Sequence, residues 1–187
     1  NSVVNGKVLQ NTKFKKIYIP SAGHDAGTAI GAALYLYNQI LNKERMPEIK
    51  SSYFGSRFSN NHVIKIINKY GLKYSSHKDD ELFEIVTNKI ISGGVIGWFQ
   101  GRAEFGPRAL GHRSILVDPR RKDAKKLLND KIKKREHFRP FAPSILKEYV
   151  NEYFEQDDEV CFMEKVFKIR KEKRKQIPAV THVDGTG

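Results

Sequence analysis

A glycine- and arginine-rich loop between two short apolar segments constrains this chain more than any other stretch. The flanking segments, Val95–Phe99 and Ile115–Val117, have the length and composition of buried strands. The loop carries turn-forming residues and three arginines, namely Gly101, Gly106, Pro107, Gly111, Arg102, Arg108 and Arg113. Because guanidinium groups match phosphate and carboxylate geometry and glycines let backbone amides approach a ligand, the loop indicates an anion site, most of all for phosphate.

The loop arginines also have a plainer interpretation. Arginines in loops are often surface charges or ion-pair partners, and the acids Glu104 and Asp118 lie close to them in sequence. The loop matches neither the dinucleotide-binding fingerprint nor the P-loop. Spacing alone therefore leaves both interpretations open.

The net charge and the cysteine content indicate which class of partner and which cellular compartment to expect. The formal net charge of +13 favours anionic partners such as nucleotides, phosphates, nucleic acid or an acidic surface. A hydrophobic content of 39% is sufficient for a packed core. Cys161 is alone, which excludes an intrachain disulfide and favours a reducing, cytoplasmic compartment. No apolar run is long enough to span a bilayer, so we expect no membrane partner.

The first 41 residues are predicted to form two strands and a helix. Ser2–Leu9 and Lys16–Ile19 have strand-like composition. Apolar residues at helical spacing over 30–40 predict a helix that is entered through the loop Ser21–Gly27. Asp25 in this loop is either the N-cap or a ligand of a metal or a phosphate, and the pattern favours the cap.

The rest of the chain mixes helices and strands. The polar stretch Asn42–Ser52 is a predicted domain boundary. Periodicity predicts helices over Asn61–Tyr70, Asp79–Ser92, 119–135 (with Asp118 as N-cap) and Lys147–Phe154, and strands over Leu72–Ser75, Phe162–Ile169 and Pro178–Val183. Because there is no strict βαβ alternation, we predict the α/β class, of mixed α+β type.

Two further sets of residues are candidate ligands. Arg139 lies in the rigid aromatic segment Phe138–Ser144, where a guanidinium is costly to desolvate without an anionic partner. His182 and Asp184 follow the last predicted strand. A histidine beside a carboxylate can act as an acid or a base, or donate a hydrogen bond to a substrate, and it can equally be a structural histidine.

Four stretches in one order carry a resemblance. They are Pro20–Ala33, Gly97–Leu116, Phe138–Ser144 and Ile177–Gly185, and within the second the run Gly101–Ser114 is highly specific. Together they resemble the C-terminal half of the NodU/CmcH family of O-carbamoyltransferases.

The resemblance implies two domains. Residues 1–45 would be the end of an actin-like ATPase-fold domain. Residues 51–187 would be a YrdC-like domain with a twisted sheet and flanking helices, truncated at its C-terminus. The absent N-terminal domain of the same protein is then an expected partner, and we expect the isolated fragment to be inactive.

The resemblance also implies the chemistry. ATP and carbamoyl phosphate would react in the YrdC-like domain to give carbamoyl adenylate and pyrophosphate. The carbamoyl group would then pass to a hydroxyl of an acceptor. Holding two polyanions together requires several fixed cations, which agrees with the composition of the loop.

Residue roles follow from the same resemblance. Arg108 and Arg139 match positions that contact carbamoyl phosphate and the nucleotide phosphates, and with His182 they are the expected catalytic residues. The other expected binding residues are Arg102, Arg113, Ser114, Lys133 and Asp184. Asp25 matches an aspartate that helps to bind a metal, iron or another divalent ion, so in the whole protein the resemblance favours the ligand role over the cap.

A second class of function remains open. YrdC-like folds also occur in RNA-modification enzymes, and the net charge suits a phosphate backbone, so the chain could be an RNA- or nucleotide-binding module without carbamoyl transfer. The sequence lacks helix-turn-helix, zinc-finger and RNP patterns, and aromatic residues do not alternate with the basic residues of 119–135. Nucleic acid is therefore the weaker of the two alternatives.

Overall fold

Several helices and one small antiparallel sheet make up the regular secondary structure in a computed structural model that describes residues 1–187. The helices are α1 (Ser2–Asn11), α2 (Gly27–Tyr35), α3 (Asn60–Lys69), α4 (Asp79–Ile91), α5 (Ala124–Leu127) and α6 (Val150–Tyr153). Turns of π-helix, Leu36–Ile40 and Leu128–Lys133, extend α2 and α5, and a 3-10 turn, Lys147–Tyr149, precedes α6. The predicted mixed α/β class is confirmed, whereas the two-domain assignment of residues 1–45 and 51–187 stays a prediction.

The sheet consists of the two strands that flank the arginine-rich loop. Strands β1 (Ile96–Phe99) and β2 (Arg113–Leu116) pair antiparallel, with Gly97 opposite Ile115 and Trp98 opposite Ser114. Aromatic and β-branched residues favour this pleated pairing. The predicted strand–loop–strand is therefore confirmed, and the ladder fixes both ends of the loop.

Three other predicted strands are wrong. Leu72–Ser75 and Pro178–Val183 are irregular or form turns. Phe162–Ile169 contributes only isolated bridges, one of which pairs Ile169 with Phe154. The alternation in this segment reflects burial of Phe167 and Ile169 on one side of an extended chain, without a neighbouring strand that continues the ladder.

The N-terminal segment is a helix instead of the predicted strand, and Lys16–Ile19 is irregular. The Asn1 side chain caps α1 by accepting from the backbone N–H groups of Val3 and Val4 at 3.1 and 3.2 Å. Gly6 lies within this helix, where a side chain would collide with the backbone of Val166. The glycine thus permits close packing and does not form a turn.

Signals in the local sequence predict the helices α3 and α4 correctly. The Ser59 hydroxyl caps α3 by accepting from the His62 N–H at 3.2 Å. Gly71 follows the C-cap residue Tyr70 of α3 with a φ of +59°, the left-handed conformation that ends helices. Helix α4 has three acids in its first turn, which complement the helix dipole.

Two expected N-caps are wrong. Helix α5 begins after Asp123, and the Asp118 carboxylate accepts from the backbone N–H and the side chain of Arg120 in a turn that precedes the helix. Helix α2 begins after Ala26, and the Asp25 backbone carbonyl, not its carboxylate, accepts from Thr28. Both segments therefore form turns before their helices.

The buried core lies in the C-terminal part of the chain. Phe154, Phe167, Ile169, Ile177 and Val180 form one cluster, in which Ile169 is fully buried. Other partly buried apolar residues pack around it, including Phe141 from the aromatic segment Phe138–Ser144. None of the helices has the length and apolar character needed to cross a membrane.

Candidate functional site

Glu104 organises the arginine-rich loop from within. Its Oε1 accepts hydrogen bonds from the backbone N–H groups of Leu110, His112 and Arg113 at 2.7, 2.9 and 3.3 Å. Burial alone would raise the pKa of the Glu104 carboxyl, but these N–H groups outweigh burial and hold the pKa below its usual value. The Glu104 carboxylate is therefore ionised and forms hydrogen bonds with backbone N–H groups, and it does not form an ion pair with a loop arginine.

A second segment of the chain supports the loop from outside. Ala103 exchanges backbone hydrogen bonds with Gly55 and Ser56, at 2.9 Å each, although about fifty residues separate the partners. The Tyr53 hydroxyl donates to the Leu110 carbonyl at 2.8 Å. The Tyr53 ring also stacks on His112, with ring centroids 3.7 Å apart and planes 10° apart. The loop is thus held against residues 52–56 by backbone bonds and by an aromatic stack.

Two of the predicted site arginines donate hydrogen bonds to backbone carbonyls of the same chain. Arg113 donates from Nη1 and Nη2 to four backbone carbonyls, among them those of Gly101 and Ser56, and its guanidinium lies 3.5 Å from the centroid of the Phe99 ring. Arg102 donates to the Gly55 carbonyl at 3.1 Å. Both guanidiniums therefore join the loop to the neighbouring segment.

Arg108 is placed differently. It is exposed at the tip of the loop and takes part in no side-chain hydrogen bond or ion pair. Two residues before it, Gly106 has a φ of +132°, and a Cβ there would lie 2.6 Å from the Ser21 carbonyl oxygen. Two of the four family-like stretches, Pro20–Ala33 and Gly97–Leu116, thus meet at this tip. Ser114 lies at the other end of the loop, where its hydroxyl accepts from the Gly111 N–H at 2.9 Å.

A buried asparagine holds the segment that carries Arg139. Asn129 is fully buried, and its Nδ2 donates to the carbonyls of Arg139 and His137 at 3.1 and 3.3 Å. Its Oδ1 accepts from Nε of Arg135 at 2.7 Å, and the Arg135 guanidinium lies over the Phe141 ring. These bonds tie the end of the basic helical region to the aromatic segment.

Arg139 and Lys133 themselves face solvent. The Arg139 Nε forms an exposed ion pair with Glu136 at 2.8 Å. A backbone hydrogen bond and, after it, the charge of Arg139 lower the pKa of Glu136. Lys133 is the last residue of the π-turn and is exposed. Neither cation is buried, so each is accessible to a ligand.

His182 and Asp184 lie in a turn near the end of the chain. The His182 ring is 3.3 Å from the Phe141 carbonyl and 3.1 Å from the Thr186 hydroxyl. The Asp184 carboxylate accepts from the Thr186 hydroxyl and N–H at 2.8 and 3.0 Å, and the hydroxyl bond is the main cause of its lowered pKa. The structure therefore brings His182 to the aromatic segment, while Asp184 is exposed.

Sequence reasoning missed several residues that shape this region. Glu104 was expected only as an ion-pair partner, and Asn129 and Tyr53 were not expected to contribute at all. Polar residues without a motif give little signal, although a glutamate within a turn-rich loop is a recognisable acceptor for orphan backbone amides.

Two cavities are distinct from the loop. One of about 1070 Å³ lies between the first 49 residues and Asp158 and Lys165, and none of the predicted site residues lines it. A smaller one of about 390 Å³ is lined by Lys122, Lys125, Lys126 and His137.

The metal expectation rests on Asp25 alone. The chain contains no group of three or more His, Cys, Asp or Glu side chains that could hold a metal ion. The adjacent His24 uses Nδ1 to accept from the Ala26 N–H at 3.0 Å. The residues of this chain do not by themselves fit a metal site, so we derive no step through a metal.

Comparison with known proteins places the chain among longer relatives. A family model described as the carbamoyltransferase C-terminus matches residues 87–187, and one described as the carbamoyltransferase N-terminus matches residues 1–34. The chain is 42% identical over 190 residues to nodulation protein NolNO of Sinorhizobium fredii, covering 100% of the chain and 28% of that protein. It is 40% identical over 193 residues to nodulation protein NolO of Bradyrhizobium diazoefficiens, covering 100% and 35%.

A further relative has an activity in its name. The chain is 30% identical over 190 residues to 3'-hydroxymethylcephem-O-carbamoyltransferase of Streptomyces clavuligerus, covering 97% of the chain and 33% of that protein. The chain thus spans about a third of the length of the curated relatives that it matches.

Proposed function

This chain belongs to the carbamoyltransferase family of NodU/CmcH type, and we propose that the protein carrying it is an ATP-dependent O-carbamoyltransferase. Carbamoyl phosphate and ATP react, with consumption of one water, to give carbamoyl adenylate, phosphate and pyrophosphate. The hydroxyl oxygen of an acceptor then attacks the carbamoyl carbon, AMP leaves, and the hydroxyl proton passes to solvent. The family assignment and the named activity of the Streptomyces relative support this reaction class.

The single observation on which the role of this chain depends is the position of Arg108. It is an exposed, unpaired guanidinium at the tip of a loop that Glu104 holds at several points. A preorganised cation of this kind stabilises negative charge that develops on phosphate oxygens, and removal of one such donor typically slows a reaction by about 10²–10³-fold. Lys133 and Arg139 are the accessible cations of the second segment.

Pyrophosphate release in the complete protein tests this proposal. We expect release from ATP only when carbamoyl phosphate is present, and we expect Arg108→Ala to lower it by about 10²–10³-fold. Arg45→Ala, which removes an exposed arginine remote from the loop in sequence, is the matched control and should retain the wild-type rate. A wild-type rate of pyrophosphate release in Arg108→Ala would show that the loop takes no part in the reaction.

A second candidate function is binding of RNA or of a nucleotide without carbamoyl transfer. An open surface depression lined by Lys122, Lys125, Lys126 and His137 favours it, because three of its four lining residues are lysines. Titration with RNA over a salt series distinguishes the two functions. Binding that persists at moderate salt and depends on RNA sequence would support the module, whereas binding that disappears without sequence preference is ordinary charge attraction.

A further inference from the structure

One oxygen of Glu104 closes the turn that presents Arg108. The residues between the acceptor Glu104 and its first donor Leu110 are Phe105–Ala109, a turn of five residues with Arg108 near its end. The hydrogen bonds from Leu110 and His112, at 2.7 and 2.9 Å, converge on the same Oε1. The Glu104 side chain therefore links the two ends of the turn directly.

Both ends of this turn are also attached to a neighbouring segment. At the start, the Phe105 N–H donates to the carbonyl of Ser52 at 2.6 Å, and Ser52 is 2% exposed. At the other end, the Leu110 carbonyl accepts from the Tyr53 hydroxyl at 2.8 Å. Only the tip, Gly106–Ala109, lacks such attachments and reaches solvent. Glu104 is the group that links the two attached ends directly to each other.

We propose that Glu104 is a positioning residue for Arg108, and that it acts on the reaction only by closing the Phe105–Ala109 turn. The inference rests on the proposed function, because an aligned guanidinium matters if the loop binds a phosphate of carbamoyl phosphate or ATP. Direct contact of Glu104 with either substrate is disfavoured, because a carboxylate repels a polyanion. Its Oε1 is moreover occupied by three backbone N–H groups.

Kinetics of four variants of the complete protein separate positioning from a merely structural role. Glu104→Ala should lower kcat/KM for carbamoyl phosphate, measured by pyrophosphate release, by about 10²-fold, since a misplaced binding group costs about that much. Glu104→Gln retains an acceptor oxygen at the same reach and should lose several-fold less. In the Arg108→Ala background, adding Glu104→Ala should cause no further loss, because both changes remove the same aligned cation.

Amide hydrogen exchange gives a readout that does not depend on turnover. In folded Glu104→Ala, the amides of Leu110 and His112 should exchange at least tenfold faster than in the wild type, because their acceptor is lost. The amides of β1 serve as an internal reference and should not change. Glu84→Gln on α4 removes an exposed carboxylate and should leave both rates and exchange unaltered.

Three results would overturn the inference: wild-type kcat/KM in Glu104→Ala, losses from Glu104→Ala and Arg108→Ala that multiply in the double variant, or unchanged exchange at Leu110 and His112. A protein that releases no pyrophosphate at all refutes the proposed function instead. Calorimetric titration with carbamoyl phosphate then decides the inference, since Glu104→Ala should weaken binding in the wild-type background and have no effect in the Arg108→Ala background.

Discussion

Replacement of Asn129 by alanine is expected to lower the free energy of unfolding by about 2–4 kcal/mol. The fully buried side chain makes two bonds to backbone carbonyls and one to the Arg135 guanidinium. Bonds between neutral groups contribute about 0.5–1.5 kcal/mol each and a bond to a charged group about 1.5–3 kcal/mol, so complete loss would cost about 2.5–6 kcal/mol. Because His137 and Arg139 are exposed, water replaces part of this loss.

Urea unfolding followed by the fluorescence of Trp98, the sole tryptophan, measures this change. Asn68→Ala, on the exposed surface of α3, is the matched control and should change the unfolding free energy by less than about 0.5 kcal/mol. We also expect weaker binding of carbamoyl phosphate by Asn129→Ala, because the segment that carries Arg139 loses its attachment. An unfolding free energy within about 0.5 kcal/mol of wild type would refute the reasoning, since a fully buried side chain cannot lose three hydrogen bonds at so small a cost.

Three further substitutions test the packing of the core, the conformation of the arginine-rich loop and the contribution of Asp118 to stability. Ile169→Ala should lower the unfolding free energy by about 2–5 kcal/mol in urea, because the side chain is fully buried in the aromatic cluster, and a loss below about 1 kcal/mol would contradict that burial. Gly106→Ala should lower Tm, because the φ of +132° at this position suits glycine and a Cβ would lie 2.6 Å from the Ser21 carbonyl oxygen. An unchanged Tm would show that the loop can change its conformation without loss of stability. A hydrogen bond from Arg120 lowers the pKa of Asp118 in the folded protein. The ionised Asp118 carboxylate therefore stabilises the folded state at pH values above its unfolded pKa of about 3.9. This stabilisation is lost as the pH falls through the lower folded pKa. Asp118→Asn should therefore flatten the pH dependence of stability below pH of about 4, and an identical acid titration would contradict this.

Local chemistry explains which elements the sequence predicts correctly. Ser59 caps α3 and the acids of the first turn favour α4, and both signals lie within a few residues of the helix start. The strands β1 and β2 combine strand-forming residues with a glycine-rich connection. In each case the deciding interaction is close in sequence.

Contacts between residues that are distant in sequence explain some of the wrong predictions. Helix α1 packs its Gly6 against Val166 and bonds Asn5 to the carbonyl of Glu164, contacts that no local pattern reveals. The alternation over Phe162–Ile169 predicts a strand, and in the structure Phe167 and Ile169 of this segment are buried in the core. Pairing does not follow from the alternation, because a strand also needs a partner that continues beyond single bridges.

The candidate site shows the same division. The sequence identified the loop and its arginines, but their different surroundings depend on Gly55 and Ser56, which lie 47 and 57 residues before Arg102 and Arg113. A motif specifies which side chains a loop carries, whereas the fold decides which of them are already occupied by the protein's own carbonyls. The individual binding roles of these arginines therefore stay predictions.

The surroundings of the arginines imply different costs of binding an anion. Arg113 would have to give up bonds to four carbonyls and its stacking on Phe99, so ligand binding there would dismantle the loop. Arg139 would give up only an exposed ion pair with Glu136, which contributes little because water screens it. Arg108 would give up no protein partner. Binding of an anion at Arg108 or at Arg139 is therefore expected to break fewer contacts within the protein than binding at Arg113, whose guanidinium holds the loop in place.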